Sequence, residues 1–316
     1  MDACIDIGGT KVAVSLSSGS GLALFARRSE PTAKTGTNDA LARQVIRLVE
    51  QACAEIGIAP ASVQRAGVSS CGPFVMRAGV LEVAAPNICG GIAGPARGLP
   101  NDWETALLES VLRERFAQVR IENDCVAALE AERRWGALRG VDHCAYVTWS
   151  TGIGVGLCVD GRLLRGKNGN AGHAGHMFVS DNNDALCGCG NIGDVEGLVA
   201  GNAIARRFGA DAATLMQLAK DGDAPAQSMV GELCRVMGRA MYNLTATLDL
   251  QRISLGGSVY LNNAAYLLPR LQEQVSSHFP ALTAGCQLVT AGLGDRVGDY
   301  AALALLANGA DAPVAR

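Results

Sequence analysis

Two stretches of the sequence share one pattern, in which an apolar run, a glycine-rich turn and a second apolar run follow each other. Residues 3–16 turn at Gly8 and Gly9, and residues 144–159 turn at 150–156. Short apolar runs that flank a tight turn predict antiparallel strand pairs, one near the start of each half of the chain. We therefore expect the two halves to be an internal structural repeat.

Predicted strands and helices alternate after each strand pair. Apolar residues recur at helical spacing over 39–56, and a strand is predicted at 65–70. The other predicted helices cover 103–116, 124–134, 194–208, 212–220, 226–248, 265–278 and 298–307, and the later strands cover 119–122, 253–255 and 287–290. This alternation is typical of α/β folds, and a cleft between two α/β halves is a favoured place for a ligand.

Composition argues against several functional classes. The chain has 316 residues, of which 18% are charged, with a net charge of −3 and no basic cluster. This balance argues against nucleic acid as a partner, and no apolar run is long enough to span a membrane. The sequence MDACIDIGG at its start has no secretory n-region, and the eleven cysteines are odd in number and scattered. We expect a cytoplasmic protein with reduced thiols.

The first glycine-rich turn carries groups that suit a phosphate. Gly8 and Gly9 allow backbone amides to approach an anion closely, and Thr10 and Lys11 add a hydroxyl and a cation. Asp6 repels phosphate but suits a hydrated Mg²⁺. The alternative reading is an ordinary hairpin turn with a buried carboxylate at the strand end.

The second turn repeats this arrangement with Ser150, Thr151, Gly152 and Gly154. Neither turn fits the P-loop or the Rossmann pattern, since both lie between two strands rather than between a strand and a helix. Two such turns, one in each half, are suited to hold the two ends of a polyphosphate.

Two further segments lie at predicted strand ends. Glu122, Asn123 and Asp124 end a strand where a helix begins, so Asp124 is either a general base for a substrate hydroxyl or a helix N-cap. Gly256 and Gly257 follow a later predicted strand. They form either a flat surface without side chains that suits a nucleotide or an ordinary strand-to-helix turn.

Residues 166–196 combine glycines with metal-ligating side chains. They hold two histidines, His173 and His176, and the only Cys-x-Cys of the chain, Cys187 and Cys189, which is followed by the carboxylates Asp194 and Glu196. Imidazole, thiolate and carboxylate all suit tetrahedral zinc. The alternative is a glycine-rich surface loop whose cysteines bind nothing.

Together these segments resemble the ROK family of sugar kinases, in the actin-like ATPase group. The resemblance is carried by DIGGTK at 6–11, IEND at 121–124, STGIGVG at 150–156, GNAGHAGH at 169–176, CGCGNIGDVE at 187–196 and LGGSV at 255–259, and covers nearly the whole chain. It implies ATP-dependent phosphorylation of the 6-hydroxyl of a hexose or N-acetylhexosamine, with Mg²⁺ and zinc as metals.

The resemblance also implies roles for single residues. Asp124 is the implied general base, and the implied sugar-binding residues are Gly72, Asn87, Asn123, Asp124, His173, His176 and Glu196. The implied nucleotide-binding residues are those of the two glycine-rich turns with Gly256 and Gly257. His176, Cys187, Cys189 and Asp194 are the implied zinc ligands.

Three departures from the family pattern are visible. His173 stands where glucokinases have glutamate, as in the similar bacterial N-acetylmannosamine kinases, so N-acetylmannosamine is favoured over glucose. Asp194 stands where the family has a third zinc cysteine, which leaves a metal-free, hydrogen-bonded loop as the alternative to zinc. Residues 89–101 are longer than the family norm, and we interpret them as an extra flap over the sugar.

The resemblance predicts two ribonuclease-H-like α/β domains, a small one of 1–119 with 297–316 and a large one of 120–296, with an interdomain cleft. It also predicts a homodimer or homotetramer. Three rival functions remain: a glucokinase or broad hexokinase, a polyphosphate-dependent kinase, and a non-catalytic sugar-binding protein or sugar-responsive regulator.

Overall fold

The computed structural model describes residues 1–19, 21–93, 97–181 and 185–307. The first elements in chain order are β1 (Asp2–Ile7), β2 (Lys11–Ser17), β3 (Leu24–Pro31), α1 (Ala40–Glu55), β4 (Arg65–Ser70), β5 (Phe74–Arg77), β6 (Val80–Val83), β7 (Ala106–Leu107), α2 (Glu109–Arg115), β8 (Gln118–Asn123) and α3 (Asp124–Trp135). The later elements are β9 (Cys144–Trp149), β10 (Ile153–Val159), β11 (Arg162–Leu163), α4 (Val195–Val199), α5 (Gly201–Phe208), α6 (Ala212–Lys220), α7 (Ala224–Leu248), β12 (Arg252–Gly256), α8 (Ser258–Leu261), α9 (Ala264–Ser276), α10 (Pro280–Thr283), β13 (Gln287–Thr290) and α11 (Val297–Leu306).

Two five-stranded mixed sheets repeat one topology. Their strand orders are β3-β2-β1-β4-β8 and β11-β10-β9-β12-β13, so each reads third, second, first, fourth and fifth. The first three strands of each sheet pair antiparallel, and the fourth and fifth are added in parallel. The predicted α/β class is confirmed, and the sheet topology repeats as the two sequence patterns predicted. A separate three-stranded sheet has the order β5-β6-β7.

The chain divides into two compact units. Of the described residues, unit 1 contains 1–131, 165–171 and 298–307, and unit 2 contains 132–164 and 172–297. The predicted domains, 1–119 with 297–316 and 120–296, stay a prediction. The units differ from them in that residues 120–131 and 165–171 belong to unit 1 and residue 297 belongs to unit 2. Of the predicted C-terminal part, residues 308–316 lie outside the described residues.

Each unit has its own apolar core. In unit 1, α1 buries Leu41, Val45 and Leu48 against the first sheet, as its helical periodicity predicted. Helix α11 packs on the same sheet so closely that a Cβ on Gly67 would lie 2.3 Å from the carbonyl oxygen of Ala302. In unit 2, the core lies between the second sheet and the helices around α7 and α9.

None of the helices in the described ranges has both the length and the apolar character that crossing a bilayer requires.

Two predicted helices are wrong in part. The N-terminal end of the helix predicted at 103–116 is extended instead, because Ala106 pairs with Val83 in the small sheet. The helix predicted at 194–208 is interrupted at Ala200, which has an extended ψ of 152°. The N–H of the next residue, Gly201, donates to the carbonyl of Ser150 at 2.8 Å, and this tertiary bond overrides helical continuity.

A fully buried carboxylate joins several segments of unit 2. The side chain of Glu132, on α3, is 0% exposed. Its Oε2 accepts from the N–H of Ala137 at 2.8 Å and of Gly292 at 2.9 Å, and its Oε1 accepts from the N–H of Leu293 at 2.8 Å. The carboxylate thus satisfies backbone donors that would otherwise be buried without partners.

We predict that Glu132→Gln lowers the stability of unit 2. Both oxygens accept from backbone N–H groups, so the amide NH₂ of glutamine must face at least one donor. The unpaired N–H groups should lower the free energy of unfolding by about 1–3 kcal/mol. Thermal unfolding measures this as a drop of several degrees in Tm, and the exposed Glu273→Gln on α9 serves as the control. Equal Tm values for the two variants would contradict the prediction.

Candidate functional site

The first glycine-rich turn, between β1 and β2, is closed by backbone bonds. The N–H of Gly8 donates to the carbonyl of Lys11 at 2.8 Å, and its carbonyl accepts from the hydroxyl of Thr32 at 2.7 Å. Thr10 and Lys11 are exposed. A Cβ on Gly9 would lie 2.8 Å from the Cβ of Asn87, so glycine is needed there for Asn87 to lie against the turn.

Asp6 ends β1 beside this turn and is partly buried. The hydroxyl of Ser69 donates to its Oδ1 at 3.4 Å. Burial and, next, the nearby carboxylate of Asp124 raise the pKa of Asp6 to about 6. Asp6 therefore lies near enough to Asp124 for their charges to interact within unit 1, and a cation between them would relieve the repulsion.

The end of β8 presents Asp124 to solvent. Glu122 and Asn123 are buried, whereas Asp124 is exposed at the first position of α3. The N–H of Cys125 donates to Oδ1 of Asn123 at 3.0 Å and to Oδ1 of Asp124 at 2.8 Å. Asn123 and Asp124 thus share the capping of the first turn of α3.

The turn that follows β4 lies next to the end of β1. The N–H of Cys71 donates to the carbonyl of Ile7 at 2.8 Å, which places Gly72 beside the first glycine-rich turn. Asn87 is exposed, and Nη1 of Arg97 lies 3.4 Å from its Oδ1. The structure therefore brings Asp6, Gly72, Asn87 and the first turn together in unit 1. Residues 94–96 of the predicted flap lie outside the described residues.

In unit 2, the second glycine-rich turn packs closely against the backbone of two other segments, at Gly201 and Gly257. The carbonyl of Ser150 accepts from Gly201, and its hydroxyl lies 3.1 Å from that of Ser258. Gly257 has a φ of +85°, and a Cβ there would lie 2.4 Å from the carbonyl oxygen of Trp149. Gly201 and Ser258 were not predicted as site residues. The glycine inside a predicted helix was the available signal for Gly201.

Four side chains of residues 172–194 converge in unit 2. One ligand atom each from His176, Cys187, Cys189 and Asp194 lies within 4.8 Å of all the others. Nδ1 of His176 is 3.2 Å from Oδ2 of Asp194, 3.7 Å from Sγ of Cys187 and 3.6 Å from Sγ of Cys189, and Sγ of Cys189 is 3.7 Å from Oδ2 of Asp194.

These separations fit one zinc ion. Zinc bonds of about 2.3 Å to sulfur and about 2.0–2.1 Å to nitrogen or oxygen place tetrahedral ligand atoms about 3.3–3.8 Å apart. A hydrogen bond to Asp194 raises the pKa of His176, and burial raises the pKa of the Cys187 thiol, so zinc uptake must release protons from this cluster.

Glu196 connects this cluster to the second glycine-rich turn. Its Oε2 accepts from the N–H of Ile153 at 3.0 Å, and the thiol of Cys187 donates to its Oε1 at 3.5 Å. A Cβ on Gly152 would lie 2.8 Å from the same Oε2, so glycine leaves room for the carboxylate. His173 precedes the 3₁₀ turn Ala174–His176. The imidazole rings of His173 and His176 are stacked, with their centroids 6.3 Å apart.

A family model described as ROK family matches residues 2–308. Similar curated proteins include one named glucokinase from Aeropyrum pernix, 30% identical with 98% of each chain covered, and one named N-acetylmannosamine kinase from Salmonella heidelberg, 33% identical over 92% of this chain and 94% of that protein. Similar solved structures include a ROK hexokinase from Thermus thermophilus, 31% identical with a TM-score of 0.77, covering 96% of this chain and 97% of that one. A ROK glucokinase from Streptomyces griseus in complex with glucose and AMPPNP is 25% identical with a TM-score of 0.64 and 97% of each chain covered.

We predict one zinc ion per chain at His176, Cys187, Cys189 and Asp194. Protein stripped of metal, loaded with zinc and dialysed should contain close to one equivalent by elemental analysis. Cys187→Ser should lose the metal, because a serine hydroxyl is a far weaker zinc ligand than a thiolate. Cys234→Ser, at a buried cysteine outside the cluster, is the matched control and should retain it. A zinc content near zero in the loaded wild type would contradict the prediction and favour the metal-free, hydrogen-bonded loop.

Proposed function

This chain belongs to the ROK family, and we propose that it is an ATP-dependent kinase that phosphorylates the 6-hydroxyl of a hexose or N-acetylhexosamine, with N-acetylmannosamine favoured. The observation that carries the proposal is the exposed carboxylate of Asp124 at the end of β8, beside the buried Asn123. The relatives named glucokinase and N-acetylmannosamine kinase support the reaction class.

Asp124 acts as the general base in this proposal. Its carboxylate accepts the proton of the sugar hydroxyl while the hydroxyl oxygen attacks the γ-phosphorus of ATP, and ADP leaves with the electron pair of the broken bond. In unit 1, Asn123, Asn87 and Gly72 are assigned to the sugar. The first glycine-rich turn offers backbone N–H groups to phosphate oxygens, and Lys11 adds a positive charge. Asp6 would hold a hydrated Mg²⁺, which supplies further neutralising charge when it is bound with the nucleotide.

Two segments of unit 2 are also assigned to the nucleotide. Ser150, Thr151, Gly152 and Gly154 form the second phosphate turn, and Gly256 with Gly257 leaves a flat floor for the adenosine. The close backbone packing at Gly257 and the hydroxyl of Ser258 near Ser150 support this assignment. The solved relative with AMPPNP supports ATP rather than polyphosphate as the donor.

His173, His176 and Glu196 are assigned to the sugar in unit 2. A neutral imidazole at His173 has one donor and one acceptor, so it suits a hydroxyl together with an acetamide carbonyl. A glutamate at the same position would accept from two hydroxyls, as glucose requires. Zinc at the neighbouring cluster would fix the loop that carries His176, Cys187 and Glu196.

Glucose is the main alternative substrate, since a protein named glucokinase is a relative of comparable similarity. A non-catalytic sugar-responsive regulator is disfavoured because Asp124 and both glycine-rich turns are retained. A homodimer or homotetramer in the cytoplasm remains a prediction, and light scattering coupled to size-exclusion chromatography tests the oligomeric part.

We predict that Asp124→Asn lowers kcat by at least about 10²–10⁴-fold while sugar binding largely survives, because an amide cannot accept the hydroxyl proton. A coupled ADP-release assay over a panel of glucose, mannose, fructose, N-acetylglucosamine and N-acetylmannosamine measures kcat, and calorimetry measures sugar binding. Asp221→Asn, at the exposed end of α6, is the control for the loss of one surface carboxylate. A variant that kept more than roughly a tenth of wild-type kcat would remove Asp124 from the role of base.

We predict that His173 sets the choice of sugar. The wild type should show a higher kcat/KM for N-acetylmannosamine than for glucose, and His173→Glu should shift the ratio toward glucose. Each buried hydrogen bond left unpaired contributes about 1–3 kcal/mol to the discrimination, or roughly 5- to 150-fold. His143→Glu, at a partly exposed histidine of unit 2 outside the proposed pocket, is the control. A wild type that prefers glucose, with a ratio unchanged by His173→Glu, would refute both the substrate and the role of His173.

A further inference from the structure

Residues 165–171 form a short crossing segment that belongs to unit 1, although the chain on both sides of it belongs to unit 2. Two side chains hold it. The amide of Asn170 pairs with the backbone of Phe74, accepting from its N–H at 2.7 Å and donating to its carbonyl at 2.8 Å. At the other end, Nε of Arg165 donates to Oε1 of Glu122 at 2.6 Å. The first anchor fixes the crossing segment independently of the ion pair at Arg165.

Glu122, the acidic partner of Arg165, lies two residues before the proposed base, Asp124. The side chain of Glu122 is only 11% exposed and that of Arg165 is 32% exposed. A carboxylate with so little access to water is strongly destabilised when its partner is removed, because it must then stay unpaired, take a proton or move toward solvent. Movement would displace the strand end that carries Asn123.

Glu122 also belongs to a row of residues across the first sheet. Asp6 on β1, Ser69 on β4 and Glu122 on β8 are register partners, so their side chains share one face of the sheet. Burial and, next, the carboxylate of Asp124 raise the pKa of Asp6, whereas the hydrogen bond from Ser69 and the charges of Lys11 and Arg27 lower it. Arg165 neutralises the carboxylate at the β8 end of this acidic row.

We propose that Arg165 is a positioning residue for phosphoryl transfer, which fixes and neutralises the Glu122 carboxylate so that the end of β8 presents Asn123 and Asp124 to the sugar. The inference rests on the proposed kinase function. Arg165 itself touches neither substrate in this scheme.

The same sheet offers a matched control at the opposite ends of its strands. Arg65 on β4 pairs with Asp2 on β1, with Nε of Arg65 2.8 Å from Oδ1 of Asp2. Its side-chain exposures of 32% and 7% are close to those of Arg165 and Glu122. Arg65 also donates through Nη2 to the second oxygen of Asp2 and through Nη1 to the carbonyl of Leu306. Loss of the Arg65 pair should therefore lower Tm at least as much as loss of the Arg165 pair, whereas only the Arg165 pair lies beside Asp124.

The experiment compares Arg165→Gln, Arg165→Lys, Arg65→Gln and the double variant Glu122→Gln/Arg165→Gln, with kcat, both KM values and Tm measured for each. Arg165→Gln should lower kcat about tenfold or more with little change in KM for ATP. The double variant should recover most of kcat, because two neutral amides can hydrogen-bond and leave no unpaired charge. Arg165→Lys keeps a cation and should retain more activity than Arg165→Gln. Arg65→Gln should keep kcat within about twofold despite its lower Tm.

Two results would overturn the inference while leaving the kinase function intact. One is a kcat for Arg165→Gln within about twofold of wild type alongside a Tm loss like that of Arg65→Gln, which would make the pair merely structural. The other is a kcat of the double variant Glu122→Gln/Arg165→Gln that is no higher than that of Arg165→Gln. Activity of the wild type and inactivity of Asp124→Asn in the same assays would show that the kinase function itself holds. A wild type inactive with every sugar of the panel would overturn the proposed function and this inference together.

Discussion

The parallel register of β1, β4 and β8 is the constraint on which the candidate site of unit 1 depends. Because the three strands run in the same direction, their carboxyl ends lie at one edge of the sheet, and that edge receives Asp6, the turn at Gly72 and the Asn123–Asp124 pair. Hydrogen-bonded neighbours in a sheet are about 4.8 Å apart, and β4 lies between β1 and β8, so Asp6 and the end of β8 are two strand spacings apart on one edge. Burial and, after it, the charge of the Asp124 carboxylate raise the pKa of Asp6.

The second sheet uses the same edge for a different chemistry. There the first and fourth strands, β9 and β12, end at Trp149 and Gly256, so Ser150 and Gly257 follow them at one edge of the sheet. The repeat therefore fixes two equivalent edges, and local sequence decides which becomes acidic and which becomes a glycine-lined surface. This explains why the halves share a topology while their sequences show only a faint similarity.

The sequence predicted the features that depend on local pattern. The strand–turn–strand repeats predicted the antiparallel strand pairs of both sheets. The family resemblance implied the set His176, Cys187, Cys189 and Asp194, whose ligand atoms meet in the structure. Features that depend on long-range contacts were not predictable in this way. The interruption at Ala200 follows from a bond between Gly201 and Ser150, and the pair of Arg165 and Glu122 joins residues 43 positions apart. Local propensity carries no information on such bonds, since they exist only once the sheets have formed.

The carboxylate of Asp194, which departs from the family pattern, both caps a helix and contributes an oxygen to the zinc-suited cluster. Its Oδ1 accepts from the N–H of Gly197 at 2.7 Å and caps α4, while its Oδ2 faces His176 at 3.2 Å within the zinc-suited cluster. A thiolate at this position would bind zinc more tightly but would lose a helix N-cap that is typically worth about 1 kcal/mol. The capping bond holds Oδ1 in place and so orients Oδ2 toward the cluster. Zinc binding then removes less conformational entropy from the Asp194 side chain, which offsets part of the weaker zinc–oxygen bond. Because α4 carries Glu196 in its first turn, the same bond also fixes the carboxylate assigned to the sugar.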